Sequence, residues 1–226
     1  MIPYYLLIIM MFSIVLLIHT KRKNLRTVSI IFKALTSLFF IGICVSSQYL
    51  HHGGDLYFYF ILTALILSFL GDVLLAFPID IARGVNRSFI AGLLSFSLAH
   101  IFFSISFITI TSLTIKDLLL FLIIASALLI TLKLIKGFNY NGMFPFVVLY
   151  LLIISFMVSK ALSVLSMFTV NFGALLIVIG AILFFISDII LSFIYFHSKN
   201  PKQLVPLNLI TYYIGQALIA LSVLYF

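Results

Sequence analysis

Long apolar runs alternate with short polar breaks along the whole chain. Eight runs are long enough to cross about 30 Å of hydrocarbon. They fall at roughly 3–19, 28–48, 56–77, 88–109, 117–135, 144–163, 171–196 and 207–225. The breaks contain loop-forming residues: KRKNLR at 21–26, HHGGD at 51–55, PIDIARGVNR at 78–87, NYNG at 139–142 and SKNPKQ at 198–203. The pattern predicts an all-α polytopic membrane protein, with eight transmembrane helices in a single domain over 1–226. Positive charges follow the first run rather than precede it, so we interpret that run as a retained helix and not a signal peptide.

Composition excludes the soluble classes of protein. The chain is 65% hydrophobic and 8% charged, whereas soluble domains carry about 25% charged residues. A soluble enzyme and a nucleic-acid-binding domain are therefore ruled out. The net charge of +8 indicates cytoplasmic loops, where membrane proteins concentrate Lys and Arg. Cys44 is the only cysteine, which excludes a disulfide framework and a cysteine zinc site.

The cationic residues predict the orientation. The first, third, fifth and seventh loops with their helix ends hold ten of them, the other side holds Lys116 and Lys160, and Lys33 lies inside the second span. The ten are Lys21, Arg22, Lys23, Arg26, Arg83, Arg87, Lys133, Lys136, Lys199 and Lys202. The positive-inside rule then places both termini outside. Compact loops fit a bacterial inner membrane, and an endoplasmic reticulum membrane is the alternative for a eukaryotic host.

Two segments indicate an internal repeat. LGDVLLAF at 70–77 is similar to ISDIILSF at 186–193, and their aspartates, Asp72 and Asp188, lie 116 residues apart. The same offset relates His100 in the fourth span to Gln216 in the eighth. These matches predict two parallel four-helix repeats, about 1–110 and 111–226, related by an axis along the membrane normal.

Polar residues inside the spans predict a site. A charged group at the bilayer centre costs at least about 2.5–3.5 kcal/mol, so it usually faces the bundle interior and is functional. On the predicted orientation, the intramembrane polar residues share one depth in the cytoplasmic half, and we expect them to line one polar cavity that opens toward the cytoplasm. They are Lys33, Asp72, His100, Tyr150, Asp188, Asn208, Tyr212, Tyr213 and Gln216.

Structural roles are the alternative for each of these residues. The aspartates and Gln216 could serve only to hold helices together, Lys33 could extend to the headgroups, and the tyrosines could form an interfacial belt. Arg83 and Arg87 either set the topology or contact a phosphate. His51, His52 and Asp55 resemble metal ligands, but a solvated turn is the preferred interpretation, and neither a metal nor a cofactor is expected.

Two carboxyl groups in one low-dielectric cavity cannot both be ionised cheaply, so one is expected to act as an acid and the other as a base. That arrangement suits hydrolysis through a cationic, oxocarbenium-like transition state. A catalytic zinc site is disfavoured, because such sites usually need three protein ligands, most often including His, and only His100 lies well inside a span. A proton-coupled transporter or a lipid flippase could use the same aspartate pair.

Four segments resemble the YhhN-like integral membrane family, which includes lysoplasmalogenases. They are SFLGDVLLAF at 68–77, GLLSFSLAH at 92–100, GAILFFISDIILSF at 180–193 and TYYIGQAL at 211–218. The resemblance covers nearly the whole chain. Lys33 is similar to the family's lysine in the second helix, although Ala34 follows it here where the family typically has proline. Tyr150 and Met157 resemble the family's positions in the sixth helix.

The resemblance implies hydrolysis of the sn-1 vinyl ether of a lysoplasmalogen, which releases a fatty aldehyde and glycerophosphoethanolamine or glycerophosphocholine. Under that hypothesis Asp72 and Asp188 are the acid and base, in an order that the sequence does not fix. The residues expected to orient water or hold the reacting oxygen are His100, Tyr150, Tyr212, Tyr213 and Gln216. The residues expected to bind the headgroup are Lys33, Asn208, Arg83 and Arg87. The lysophospholipid would enter from the bilayer, and no nucleic acid takes part.

Overall fold

The structure, a computed structural model, describes residues 1–51, 55–77, 86–140, 142–167, 171–199 and 201–226. Within these residues it contains eight α-helices and one short 3₁₀ turn, Lys202–Leu204. The helices are α1 (Ile2–Arg22), α2 (Arg26–His51), α3 (Asp55–Ala76), α4 (Arg87–Ile110), α5 (Ile115–Leu134), α6 (Phe144–Met167), α7 (Phe172–Phe196) and α8 (Val205–Ser222). Each is long and apolar enough to cross a membrane, which confirms the all-α prediction of eight spans.

Several helices extend beyond the predicted spans. α1 continues through Lys21 and Arg22, and α2 begins at Arg26, so the break predicted at 21–26 shortens to residues 23–25. The apolar pattern marks the segment that suits hydrocarbon, whereas the helix continues into the headgroup region because its backbone hydrogen bonds remain satisfied there. Asn24 adopts a positive φ of 55° in this tight connection, a conformation that Asn tolerates better than most residues.

Side chains cap three of the helices. Asn86 accepts a hydrogen bond from the Phe89 amide at the start of α4, and Asn171 accepts one from the Ala174 amide at the start of α7. At the start of α5, Asp117 accepts a hydrogen bond from the backbone amide of Thr114 at 2.7 Å. These bonds satisfy amide groups that a helix start leaves without partners.

The helices pack mainly as sequential pairs: α1 with α2, α3 with α4, α5 with α6 and α7 with α8. α4 also packs against α6, and α2 packs against α8, so these contacts join the two halves of the chain. α8 and α6 are the most buried helices, and α5 is the least buried. Large apolar side chains such as Ile8, Phe12 and Ile123 are exposed on the outer surface, as expected where lipid replaces water.

Small residues let α7 and α8 approach closely. A Cβ atom added at Gly180 would lie 2.8 Å from the carbonyl oxygen of Gly215 and 2.7 Å from Ile219. A Cβ atom added at Gly215 would lie 2.8 Å from the Gly180 carbonyl. Backbone contacts this close are typical of small-residue interfaces in membranes, and they fix the position of α8 relative to Asp188 on α7.

Candidate functional site

Asp72 lies near the end of α3, at the centre of a closed polar cluster. Its Oδ1 is 3.1 Å from the Nζ of Lys33 on α2. Its Oδ2 accepts hydrogen bonds from the hydroxyls of Ser37 on α2 at 2.7 Å and Tyr212 on α8 at 2.8 Å. The Asp72 side chain is only 3% exposed. Both carboxylate oxygens are therefore occupied by donors from two neighbouring helices.

Asp188 lies at the corresponding place in α7 but has different partners. The Tyr150 hydroxyl of α6 donates to its Oδ2 at 2.6 Å, and Nε2 of His100 on α4 lies 3.6 Å from the same oxygen. Nε2 is also 2.8 Å from the Tyr150 hydroxyl. Because Tyr150 gives its one proton to Asp188, it can only accept from His100, which places a proton on Nε2. On the other side of the ring, Nδ1 is 3.2 Å from the Met157 sulfur.

Aromatic rings connect the two clusters. The His100 ring lies 4.6 Å from the Phe184 ring, and the Phe184 ring lies 5.1 Å from the Tyr212 ring. Phe96 packs edge to face against both Phe184 and Tyr212. The sequence predicted one shared polar cavity for these residues. The structure instead brings them together as two hydrogen-bonded groups joined by these rings.

An apolar cavity leads to the Asp188 cluster. Its volume is about 430 Å³ when the open space at its mouth is included, and it is partly open to the outside. Asp188 and Tyr150 are among its lining residues, and the rest of the lining is mostly apolar. The other lining residues are Leu75, Phe89, Leu93, Phe96, Val147, Leu191, Ser192, Tyr195 and Phe196. They come from the end of α3, the starts of α4 and α6 and the end of α7.

These helix ends define one side of the bundle, which we call the basic end: the side where α1, α3, α5 and α7 end and where α2, α4, α6 and α8 begin. It holds nine of the ten cations of the predicted cytoplasmic loops, and the tenth, Arg83, lies outside the described residues. A short antiparallel bridge between Phe138 and His197 joins two of its connections, and the Asn139 amide donates to the Phe196 carbonyl at 2.8 Å. The residues that line the cavity therefore belong to the helix ends of the basic end.

The remaining predicted site residues lie partly in the bundle interior and partly at the helix ends. Tyr213 is fully buried and donates to the Lys33 carbonyl at 3.2 Å, so it supports the Asp72 cluster. Gln216 is fully buried, and its amide makes no hydrogen bond within the described part of the chain. Asn208 directs its amide group to Ser187 on α7, at 2.8 Å from the carbonyl and 2.9 Å from the hydroxyl. Arg87 is exposed at the first residue of α4, and Arg83 lies outside the described residues.

The sequence reasoning missed two features. Ser37, one turn after Lys33, is a direct partner of Asp72, and only the helix period could have indicated it. Lys160 and Asp117 form a second buried ion pair at 3.2 Å, with the Lys160 side chain 0% exposed. Lys160 also donates to the Ser112 carbonyl at 2.8 Å. The TxxD capping pattern at 114–117 and a lysine within a predicted span were the available signals.

Fold and site together define a polytopic helical membrane protein with two carboxyl groups buried near one end of its bundle. The family model of the YhhN family matches residues 28–223. The chain therefore belongs to the YhhN family, a family associated with lysoplasmalogenase, and the resemblance seen in the sequence is confirmed. No curated protein and no solved structure matches the chain.

Proposed function

We propose that this protein is a lysoplasmalogenase, which adds water across the sn-1 vinyl ether of a lysoplasmalogen and releases a fatty aldehyde and a glycerophospho-headgroup alcohol. The observation that carries the proposal is the apolar cavity that Asp188 and Tyr150 help to line. A single-chain lipid has a long apolar tail beside a polar ether. The apolar lining of the cavity suits the tail, and its carboxyl and hydroxyl groups suit the ether. Membership of the YhhN family supports the same reaction.

The mechanism that we propose needs proton transfer and charge stabilisation. A neutral carboxylic acid can protonate the vinyl ether carbon, which creates an oxocarbenium ion. A carboxylate can then stabilise that cation. We propose that the carboxyl groups of the site, Asp72 and Asp188, include the group that performs these tasks. His100, Tyr150, Tyr212, Tyr213 and Gln216 would hold or orient the hydroxyl groups and water around them.

The headgroup is proposed to lie at the basic end. Lys33 already pairs with Asp72, and Asn208 already uses its amide group on Ser187. Arg87 is exposed at the start of α4, so it is the described cation best placed to meet a phosphate at the mouth of the cavity. Arg83 precedes it by four residues in the sequence and is proposed to act with it.

We further propose that both termini face outward, in a bacterial inner membrane, with the cavity toward the cytoplasm. The nine described cations at the basic end support this orientation. An alkaline-phosphatase or green-fluorescent-protein fusion at residue 226 tests it. Phosphatase activity without fluorescence is expected, and the reverse result contradicts the orientation.

The two halves are proposed to be parallel repeats. At the offset of 116, Gly71 and Gly92 correspond to Ser187 and Asn208. A Cβ atom at Gly92 would lie 3.5 Å from the Gly71 carbonyl, and Asn208 donates to the Ser187 carbonyl. Equivalent positions therefore meet at the α3–α4 and α7–α8 interfaces. If the two halves are interchanged, α4 corresponds to α8 and α6 corresponds to α2. The packing of α4 on α6 then corresponds to the packing of α8 on α2.

The function is tested by incubating purified protein in detergent with lysoplasmenylethanolamine and lysoplasmenylcholine, and measuring the fatty aldehyde. The wild type is expected to release aldehyde, and Asp188→Asn is expected to release none. Leu119→Phe on the exposed face of α5 is the matched control and should retain activity. Transport needs a sealed membrane, so a folded protein that releases no aldehyde in detergent contradicts the hydrolase. A proton-coupled transporter or flippase is then tested in liposomes.

A further inference from the structure

The two aspartates differ in what can reach them. We propose that Asp188 is the carboxyl that meets the lipid, and that Asp72 is a positioning residue that never touches it; this assignment of roles rests on the proposed function. The sequence repeat makes the two residues equivalent. The surroundings that the structure gives them are not.

Access is the first difference. The Asp188 side chain is 13% exposed and lines the apolar cavity together with Tyr150. The Asp72 side chain is 3% exposed and is not among the residues that line that cavity. A chain lying between α4, α6 and α7 would therefore contact Asp188 without displacing any partner of Asp72.

Occupancy of the carboxylate oxygens is the second difference. Lys33 occupies Oδ1 of Asp72, while Ser37 and Tyr212 occupy its Oδ2. Both oxygens of Asp72 are therefore occupied by partners from the protein, and neither is open to a ligand. Both described contacts of Asp188, from Tyr150 and His100, fall on Oδ2. Its Oδ1 is left to carry a proton and to face a ligand.

This difference between the two carboxyl groups fits the bond changes of the reaction. The vinyl ether π electrons take the proton from Oδ1 of Asp188, which forms a C–H bond and leaves an oxocarbenium ion beside the Asp188 carboxylate. The proton goes to the vinyl carbon farther from the ether oxygen; water then attacks the carbon bonded to that oxygen, forms the hemiacetal and gives one proton back to Asp188. The resulting hemiacetal transfers its hydroxyl proton, by way of Asp188, to the glycerol oxygen as the C–O bond breaks. One water is consumed, no oxidant or reductant is needed, and Asp188 ends protonated as it began.

Asp72 acts on the cavity indirectly, through the ring of Tyr212. It accepts the hydrogen bond of the Tyr212 hydroxyl, and the Tyr212 ring packs against Phe96 and Phe184. Phe96 lines the cavity, and Phe184 contacts the His100 ring. The Asp72 cluster thus fixes the wall against which the Asp188 group and the lipid chain are placed.

A chemical label tests access without relying on turnover. The probe is dicyclohexylcarbodiimide, an apolar reagent. A protonated carboxyl adds through its O–H across a C=N bond to give an O-acylisourea, whose acyl group then shifts from oxygen to nitrogen to give a stable N-acylurea. The purified protein is labelled in detergent, digested and mapped by mass spectrometry. Label is expected on Asp188, absent in Asp188→Asn and retained in Asp72→Asn. A saturated single-chain alkyl-ether glycerophosphoethanolamine, which lacks the vinyl bond, is expected to slow the labelling.

The outcomes separate the two proposals. Label on Asp72 in the wild type, no label on Asp188, or labelling of Asp188 that the ether lipid does not slow each overturns the assignment. Labelling of Asp188 with protection by the lipid, but no aldehyde from wild-type protein, leaves the assignment standing and overturns the lysoplasmalogenase.

Kinetics test the roles when the protein is active. Asp188→Asn is expected to lower kcat by the 10²–10⁴-fold that a proton-transferring group contributes, roughly, and Asp188→Glu is expected to restore part of it. The paired variant Lys33→Met/Asp72→Asn keeps the cluster neutral and is expected to lower kcat by only about tenfold, well short of that range. Its pH profile of kcat should match the wild type. If the paired variant folds but is inactive while Asp188→Asn turns over, the assignment is wrong.

Discussion

The buried ion pair between Lys33 and Asp72 predicts how much stability the protein loses when one partner is removed. This can be measured independently of enzymatic activity. Lys33→Met removes the cation and leaves the Asp72 carboxylate buried beside two hydroxyl donors, Ser37 and Tyr212. Removing one partner of a buried pair costs about 3–5 kcal/mol, because the remaining charge has no counter-ion. The Lys33 side chain is 11% exposed, so some solvent reaches this end of the pair. We therefore expect the lower limit, about 3 kcal/mol.

Asp72→Asn should compensate for that loss. The amide oxygen can accept the same hydroxyl groups, and no uncompensated charge remains in Lys33→Met/Asp72→Asn. The two changes share a direct contact, so we expect them to couple by about 2 kcal/mol in a double-mutant cycle, within the usual range for interacting residues.

The assay is reversible unfolding in mixed micelles of a mild detergent with increasing sodium dodecyl sulfate, followed by circular dichroism. The wild type, both single variants and the double variant are compared at one pH. Lys23→Met is the control, because Lys23 is exposed in the connection between α1 and α2, and it should lie within about 0.5 kcal/mol of the wild type. If the double variant loses the sum of the single losses to within about 0.5 kcal/mol, the pair has no coupling energy and the reasoning fails.

Three further predictions concern other parts of the bundle. Gly180→Ala should lower stability by about 1–3 kcal/mol by overpacking, because its Cβ would lie 2.8 Å from the Gly215 carbonyl; Gly42→Ala, whose Cβ meets only Leu6 at 3.3 Å, should be tolerated in the same unfolding assay. Tyr150→Phe removes the hydroxyl 2.6 Å from Asp188 and should lower kcat for aldehyde release by about 10–100-fold, the equivalent of a 1.5–3 kcal/mol bond to a charged group; an unchanged kcat would exclude Tyr150 from the site. Lys160→Met should destabilise the protein by about 3–5 kcal/mol while kcat per folded molecule stays unchanged, because the Lys160–Asp117 pair lies at the opposite end of the bundle from the cavity; a selective loss of kcat would show that the two ends are coupled.

The polar residues show which features of the site the local sequence pattern predicts and which it does not. Asp72, Asp188 and His100 stand out in the sequence because a polar group in hydrocarbon is costly, and the structure buries or half-buries all three. Their common depth followed from counting residues along each span. Their pairing did not, because a depth says nothing about which helices are neighbours. Ser37 was missed for the same reason: a serine in an apolar helix is ordinary until Asp72 is found beside it.

The sequence by itself determined the class of protein, the number of spans and the family. These depend on the length and hydropathy of each segment and on motifs read along one chain, and bilayer thickness converts segment length directly into a crossing. Only the tertiary structure decided which groups meet. The contacts of α2 and α8 with Asp72, and those of α4 and α6 with Asp188, are made across 35 to 140 residues of chain, where no local period operates. The similar segments 70–77 and 186–193 make the two aspartates alike in sequence, and packing alone makes them different: Lys33 pairs with Asp72, whereas Asp188 lines an apolar cavity.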